Sequence, residues 1–249
     1  MQGLEEKNHF IGERNVGDAR VDLDDILVEW FDAHMKEDET ALANVRQRAA
    51  ITVYDNGARE WRSFQSWPPQ GAKDLKLYLS SQEGANSKAG DGRLDNGCDA
   101  PTNYDSYTYN STAPVPSVGG GGADGDLGTS YKLGIVDQSE IETRDDVLVY
   151  SSDLLPDALT IAGNIRTRLY VSADKVDTDL MVNLTEVMPG GRSFNIAESA
   201  LRLRYRDGAD PSFLTPGEYV EVDIPTMVAA HTFSVGSRIR LQATGRNIV

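Results

Sequence analysis

Apolar residues recur at steps of three and four positions between Val21 and Met35, and this spacing predicts an amphipathic helix over about residues 21–36. Three acidic residues lie in its first turn, where negative charge interacts favourably with the helix dipole: Asp22, Asp24 and Asp25. The apolar positions share one face, so this helix needs a partner surface: Leu23, Ile26, Leu27, Trp30 and Phe31. Residues 39–48 have a weaker helical pattern, and only the first helix enters the predicted fold.

After Ala49 the pattern changes to short runs of β-branched and aromatic residues separated by turn residues. These runs predict nine strands: Ile51–Tyr54, Leu75–Leu79, Val147–Tyr150, Leu159–Ile161, Arg166–Val171, Leu180–Val187, Leu201–Tyr205, Tyr219–Ile224 and Arg238–Gln242. Polar and apolar residues alternate in Arg202–Tyr205 and Arg238–Leu241, which predicts one solvated and one buried face for each strand. Many short strands without intervening helices predict a mainly β protein, an antiparallel sandwich or barrel.

A long irregular segment, residues 80–132, separates the early strands from the later ones. It contains a run of four glycines from Gly119 to Gly122, several Asp-Gly and Asn-Gly pairs, and few large apolar residues other than tyrosines. Loops of this length are uncommon in compact domains and are usually functional or mobile. We predict an excursion that decorates one edge of the sandwich.

The composition excludes several classes of protein. The 249 residues include 24 Lys and Arg against 39 Asp and Glu, a formal charge of −15, which argues against nucleic-acid binding because phosphate recognition needs a basic surface. No stretch reaches the roughly 18 consecutive apolar residues of a membrane span, and the first residues lack the apolar core of a signal peptide. Both a cytoplasmic and a secreted location stay open.

A search for a nucleophile finds none. No Gly-x-Ser-x-Gly sequence occurs, and the single cysteine, Cys98, can form no internal disulfide and has only Arg93 as a basic neighbour. The three histidines, His9, His34 and His231, lack the spacing of a zinc site, so we predict no metal and no cofactor. His34 is interpreted as a capping or packing residue, and His231 as a structural one.

The carboxylates give no clear site either. The tract from Asp91 to Gly97, which includes Asp95, resembles a calcium loop only loosely, and we interpret it as a solvated turn. Three aspartates between two predicted strands are interpreted as turn-forming residues: Asp174, Asp177 and Asp179. A glycosidase would need two acids facing each other across a cleft, and the sequence identifies no such pair.

Aromatic residues support a second hypothesis, a free-standing jelly roll that binds a carbohydrate or another ligand. The side chains that could stack on a sugar are Trp61, Trp67, Tyr104, Tyr107 and Tyr109. In the structural interpretation, the tryptophans pack in a seam between domains and the tyrosines anchor the long loop.

Several ordered tracts resemble the CocE/NonD hydrolases, the family of cocaine esterase and the X-Pro dipeptidyl-peptidases. Residues 137–152, Asp-Gln-Ser-Glu-Ile-Glu-Thr-Arg-Asp-Asp-Val-Leu-Val-Tyr-Ser-Ser, resemble the start of the family's C-terminal domain. Asp177-Thr178-Asp179-Leu180 resembles its Asp-Thr-Asp-Phe motif, and Arg204-Tyr205-Arg206 its Arg-Tyr-Arg strand. Trp61-Arg62, Trp67-Pro68-Pro69, Pro114-Val115-Pro116 and Trp30-Phe31-Asp32 also fit, so the resemblance runs from about Gly12 to near the C-terminus.

The resemblance implies a serine hydrolase with an α/β-hydrolase domain followed by a C-terminal jelly roll. On this basis residues 1–48 are predicted to be the end of the α/β-hydrolase domain, with its last helix at about 21–36. Residues 49–249 are predicted to form the jelly-roll (galactose-binding-like) β-sandwich, which would adjoin the catalytic domain and a wall of its substrate cleft. A homo-oligomer stays open.

The same resemblance predicts that this chain contains no catalytic residue and is inactive alone. The family's Ser and Asp precede this region, and His9 stands in Lys7-Asn8-His9-Phe10 instead of the expected Gly-Pro-x-x-His. After Leu241 the sequence also departs from the family, which predicts a missing last strand and an unpaired sheet edge. We therefore expect marginal stability, aggregation or dependence on a partner.

Overall fold

The computed structural model describes residues 9–36, 38–97, 103–120 and 132–245. Cys98 lies outside the described residues. The elements follow one another as β1 Phe10–Ile11, β2 Arg14–Asn15, α1 Leu23–Met35, α2 Glu39–Gln47, β3 Ile51–Asp55, β4 Glu60–Phe64, β5 Tyr78–Ser80, β6 Arg93–Asp95, β7 Val147–Ser151, β8 Leu159–Val171, β9 Asp179–Val187, β10 Ser193–Arg202, β11 Val220–Phe233 and β12 Arg238–Thr244. Short 3₁₀ turns occupy Ile141–Thr143 and Leu203–Tyr205.

A β-sandwich forms the main body, as predicted. Six strands form one sheet in the order β10-β9-β12-β7-β6-β5, and the long antiparallel pair β8–β11 lies across it. Apolar side chains of both layers form the main core, among them Leu148, Leu180, Val182, Leu184, Val222, Ile224, Met227, Phe233, Ile239 and Leu241. The sandwich therefore buries the inner face of β9 and β12 against β11.

Two helices precede the sandwich instead of the single predicted one. Asp22 caps α1 by accepting from the Asp25 amide at 3.0 Å, and Asp38 caps α2 by accepting from the Thr40 amide at 2.8 Å. The two helices pack against each other, and Glu29 of α1 accepts a hydrogen bond from Asn44 of α2 at 2.9 Å. Among the described residues, no helix is both long and apolar enough to cross a membrane.

Several predicted strand bounds are wrong. The predicted strands at 159–161 and 166–171 form one strand, β8, and β11 continues to Phe233 through a register shift between Ile224 and Met227. Four strands, β1, β2, β4 and β6, were not predicted, and β10 was predicted only at its last two residues. Residues 203–205 form a 3₁₀ turn because the Leu203 and Arg204 amides donate to Thr178 and Asp177, while the Leu203 side chain enters the core.

The long segment contributes to the main sheet as well as to its edge. Strand β6, inside the predicted excursion, pairs antiparallel with β5 and parallel with β7. Asp91 accepts from the Gln82 amide at 3.0 Å, and Asp95 lies in β6 and accepts from Ser80 Oγ at 2.9 Å. Asp91–Gly97 was interpreted as a solvated turn, and this interpretation is wrong for Arg93–Asp95, which form strand β6.

The C-terminal strand β12 lies inside the sheet. It pairs with β9 on one side and with β7 on the other, so the predicted unpaired edge does not occur at this strand. Its predicted solvated face is also wrong, because Arg240 is only 8% exposed. A buried carboxylate on the facing turn, Glu142, is hydrogen-bonded to Arg240 and makes this burial stable.

Candidate functional site

The exposed side of α1 forms an apolar surface that no other described element covers. We call this surface the α1 face; it consists of Leu27, Val28, Trp30, Phe31 and Met35. Trp30 and Phe31 are 46% and 47% exposed although their rings contact each other at 5.3 Å between centroids. The His34 ring stacks on Trp30 at 4.5 Å, in agreement with its predicted packing role. Contiguous exposed apolar side chains of this size mark interaction surfaces.

A buried ionic cluster joins the N-terminal β1–β2 hairpin to the sandwich. Glu186 of β9 accepts from Arg14 Nη2 at 2.6 Å, lies 3.1 Å from His231 Nε2 of β11, and accepts from the Ser234 amide at 2.7 Å. We call these four residues the Glu186 cluster. Glu186, Arg14 and His231 are 0%, 8% and 3% exposed, so His231 has the structural position that was predicted for it.

The pKa of Glu186 reflects two opposed effects. Burial alone would raise this pKa because it disfavours the carboxylate. The hydrogen bonds from His231 and the Ser234 amide, with the charge of Arg14, outweigh burial and lower the pKa from 4.5 to about 2. Glu186 is therefore ionised at neutral pH and balances the charge of Arg14. Arg14 and Glu186 are 172 positions apart, and the only sequence signal was one acid within the apolar run of β9.

A second buried carboxylate holds the β3–β4 hairpin on β11. Asp55 is fully buried, and it accepts from the amides of Gly57, Ala58 and Thr232 at 3.0, 2.9 and 2.9 Å. Burial opposes its ionisation, but these hydrogen bonds and that of the Thr232 hydroxyl lower the pKa of Asp55 below its usual value. Gly57 approaches β11 so closely that a Cβ atom there would lie 1.9 Å from the Thr232 carbonyl oxygen.

A cavity of about 710 Å³ opens between this hairpin, the β1–β2 hairpin and the sandwich. We call it the hairpin cavity. Its apolar lining includes Ile11, Ile51, Val53, Ile135, Ile196 and Val228. Arg14, Trp67 and His231 also line the cavity. The Glu186 cluster and Asp55 thus hold the elements on either side of the cavity.

The aromatic residues suggested as a stacking platform occupy different environments. Trp67 lines the hairpin cavity, whereas Trp61 is 39% exposed and contacts the Tyr54 ring at 5.2 Å. Tyr107 packs against the main core, and burial raises its pKa to about 12, which agrees with a role in anchoring the long loop. Tyr104 is exposed, and the Tyr109 ring lies close to Gly245.

The predicted acidic turn carries ion pairs. Asp177 accepts from Arg204 Nε at 2.6 Å, and Asp179 from Arg202 Nε at 2.7 Å, so both aspartates join the turn to the end of β10. Asp174 is exposed and forms an ion pair with Lys175 at 3.1 Å. In the ranges that the structure describes, no group of three His, Cys, Asp or Glu residues is arranged to hold a metal ion.

The described residues contain no serine–histidine pair. The rings of His34 and His231 are hydrogen-bonded to the Trp30 carbonyl oxygen and to Glu186, and the His9 carbonyl oxygen accepts from the Val16 amide at 2.7 Å. The nucleophilic mechanism of a serine hydrolase requires a serine hydroxyl that is hydrogen-bonded to a histidine ring. Within this part of the chain, no such hydrogen bond is present.

Comparison of the sequence with protein families gives a match over most of the chain. The X-Pro dipeptidyl-peptidase C-terminal non-catalytic domain matches residues 43–248. The chain belongs to this family. Cocaine esterase from Rhodococcus sp. (strain MB1 Bresler) is 34% identical over 221 residues, which are 88% of this chain and 37% of that protein. This non-catalytic domain therefore spans little more than a third of the length of that relative.

Solved structures of hydrolases share the fold. An aminopeptidase from the marine sediment archaeon Thaumarchaeota archaeon matches with a TM-score of 0.72 at 24% identity, covering 91% of this chain and 37% of that one. An alpha-amino acid ester hydrolase matches with a TM-score of 0.71 at 23% identity, covering 90% of this chain and 37% of that one. In these proteins too, the domain occupies about a third of a longer chain.

Proposed function

We propose that this chain is the non-catalytic C-terminal portion of a serine hydrolase of the acyl esterase or X-Pro dipeptidyl-peptidase type. Its function is to support an α/β-hydrolase domain and one wall of the substrate cleft. The reaction of the whole enzyme is hydrolysis of an ester or amide through a serine nucleophile, a histidine base and an oxyanion hole. All three groups belong to the catalytic domain, so this chain is inactive alone.

The observation that carries the proposal is the uncovered α1 face. An aromatic side chain buries 150–250 Å² at an interface, which at about 25 cal/mol per Å² amounts to several kcal/mol for each ring. A helix whose main packing partner among the described elements is α2, and which exposes Trp30 and Phe31, is typical of an element separated from its partner. We assign that partner as the α/β-hydrolase domain, with residues 1–48 as its last part. The match that begins at residue 43 supports a boundary near residue 49.

The Glu186 cluster suggests how the catalytic domain is held. Arg14 precedes α1, and its ion pair with Glu186 is buried, so it fixes the segment before α1 on the sandwich at one position. A catalytic domain packed on the α1 face would consequently keep a defined orientation relative to the jelly roll.

The purified chain is expected to hydrolyse neither esters nor X-Pro amides. 4-Nitrophenyl butyrate and Gly-Pro-4-nitroanilide test the two reactions, and release of nitrophenol or nitroaniline is followed by absorbance. We expect rates equal to the buffer blank, with or without phenylmethylsulfonyl fluoride. Hydrolysis that this serine-directed inhibitor abolishes would contradict the proposal, because it requires a nucleophile in this chain.

The α1 face is expected to cause self-association of the isolated chain. The double substitution Trp30→Gln and Phe31→Gln removes both exposed rings and keeps residues with good helix propensity. Sedimentation velocity of the original chain should therefore show mass that increases with concentration, and the double variant should stay monomeric over the same range.

Phe213→Gln is the matched control, because Phe213 is 56% exposed but belongs to the loop between β10 and β11. This variant should associate like the original chain. Association that Phe213→Gln removes and the double variant retains would assign the contact surface to another part of the molecule.

A further inference from the structure

The hairpin cavity is lined by two residues that carry buried donors without an acceptor. Arg14 Nη1 and the Trp67 indole Nε1 are both buried, and neither has a hydrogen-bond partner among the described residues. Arg14 is 92% buried, since its exposed fraction is 8%. Buried N–H groups are nearly always paired in folded proteins, and those that lack a partner favour the arrival of an acceptor. Both residues line the same cavity.

The charge of Arg14 is already balanced, which restricts the kind of acceptor. Glu186 is ionised and binds Arg14 Nη2, so the free Nη1 offers a hydrogen bond without an unmatched positive charge. An indole N–H is likewise a neutral donor. A carboxylate would add a buried charge beside Glu186, whereas a carbonyl oxygen accepts hydrogen bonds and adds none. The pair of donors therefore favours a neutral carbonyl oxygen over an anion.

The size and lining of the cavity indicate the rest of the ligand. A volume of about 710 Å³ lies within the range of 300–1,000 Å³ that is typical of small-molecule sites. Eight of the sixteen lining residues are aliphatic, and six carry polar side-chain atoms, of which those of Tyr54, Asn195 and His231 are hydrogen-bonded elsewhere. An apolar body with one carbonyl group fits both features.

We propose that the hairpin cavity binds a small neutral amide or ester, with its carbonyl oxygen accepting from Arg14 and Trp67 and its apolar part against the aliphatic lining. Both nitrogen atoms are buried, so binding requires neighbouring lining side chains to move aside, while Arg14 Nη2 keeps its ion pair with Glu186. The site is separate from the α1 face and needs no catalytic domain, so its test is independent of the function proposed above.

The experiment uses the indole N–H signals of the 249-residue chain. The three tryptophans give three indole cross-peaks in a ¹⁵N–¹H spectrum, so Trp30 and Trp61 serve as internal references. The probe is 3-phenylpropanamide, compared with 3-phenylpropanoate, which is anionic, and 3-phenylpropylammonium, which has no acceptor. We expect the amide to move the Trp67 signal downfield in a saturable titration, with weaker binding of the carboxylate and none of the ammonium ion.

Three variants test the two donors. Trp67→Phe keeps an aromatic ring but removes the donor, and we expect roughly tenfold weaker binding of the amide, measured by saturation-transfer NMR. Arg14→Lys keeps the charge opposite Glu186 but removes Nη1, with a similar expected loss. Trp61→Phe is the control, because Trp61 is outside the cavity lining and this variant should bind like the original chain.

Three results would overturn the proposal. The first is a Trp67 signal that does not move at saturating amide. The second is equal binding of amide and ammonium, which would indicate a cavity that is only apolar. The third is unchanged amide affinity in Trp67→Phe and Arg14→Lys, whose thermal unfolding is measured first to establish that both variants are folded.

Discussion

Replacing Glu142 by alanine is expected to destabilise the chain by about 3–5 kcal/mol, because it leaves Arg240 buried without a counter-charge. Glu142 is fully buried on the turn that covers the outer face of the six-stranded sheet. Its carboxylate accepts from Arg240, from Gln242 Nε2 at 2.8 Å and from Ser193 Oγ at 2.5 Å. A loss of this size is a large part of the roughly 5–15 kcal/mol that stabilises a typical domain.

Urea unfolding followed by tryptophan fluorescence measures the effect. The midpoint should fall strongly in Glu142→Ala, while Glu140→Ala, an exposed acid two positions earlier, should change stability by about 0.5 kcal/mol or less. The double variant Glu142→Leu with Arg240→Met should recover most of the loss, since it removes both charges together. A loss below about 1 kcal/mol in Glu142→Ala would contradict the assignment of a paired, buried carboxylate.

The sequence alone predicted the elements whose local hydrophobic pattern matches their burial in the folded structure. The periodicity of α1 and the apolar runs of β7 and β9 predicted these elements to within two residues. The resemblance of residues 137–152 to the hydrolase family led to the family that the comparisons confirm. Each of these signals lies within a short stretch of chain.

Features that depend on distant partners could not be predicted in this way. Arg240 alternates with apolar neighbours, which normally indicates a solvated face, but Glu142, 98 positions earlier, pairs with it in the interior. Arg202–Tyr205 shows the same alternation, yet Asp177 and Thr178 accept from the Arg204 and Leu203 amides and the segment forms a turn. The pattern of hydrophobic residues predicts which apolar side chains are buried in the core. It does not predict that a charged side chain is buried next to an oppositely charged partner from a distant part of the chain.

The α1 face could be predicted from a local pattern, whereas the hairpin cavity depends on distant parts of the chain. The α1 face follows from helical periodicity, so the sequence predicted an amphipathic helix in need of a partner. The cavity brings together β1, β3, β10 and β11, and its polar lining residues share no sequence motif. Only the tertiary structure shows that Arg14 and Trp67 line one space.

Acid is expected to weaken the chain through Glu186 by about 3 kcal/mol. Its folded-state pKa of about 2 lies below the ordinary 4.5, so ionised Glu186 favours the folded state at every pH above 4.5. At 1.36 kcal/mol for each pKa unit, the difference between 4.5 and about 2 corresponds to roughly 3 kcal/mol at pH 7. This contribution falls as pH drops from 4.5 toward 2, because the unfolded chain then binds a proton that the folded chain does not.

Glu186→Gln separates this contribution from the other carboxylates, since it is a neutral side chain of the same size. Urea unfolding free energies of both chains between pH 7 and pH 3 give the difference as a function of pH. We expect about 3 kcal/mol at pH 7, little change at pH 5, and less than half of the pH 7 value at pH 3. Glu218→Gln, at an exposed loop position, should show no such trend. A difference that stays constant down to pH 3 would mean that Arg14, His231 and the Ser234 amide do not stabilise the ionised carboxylate, and that the segment before α1 is held on the sandwich by packing alone.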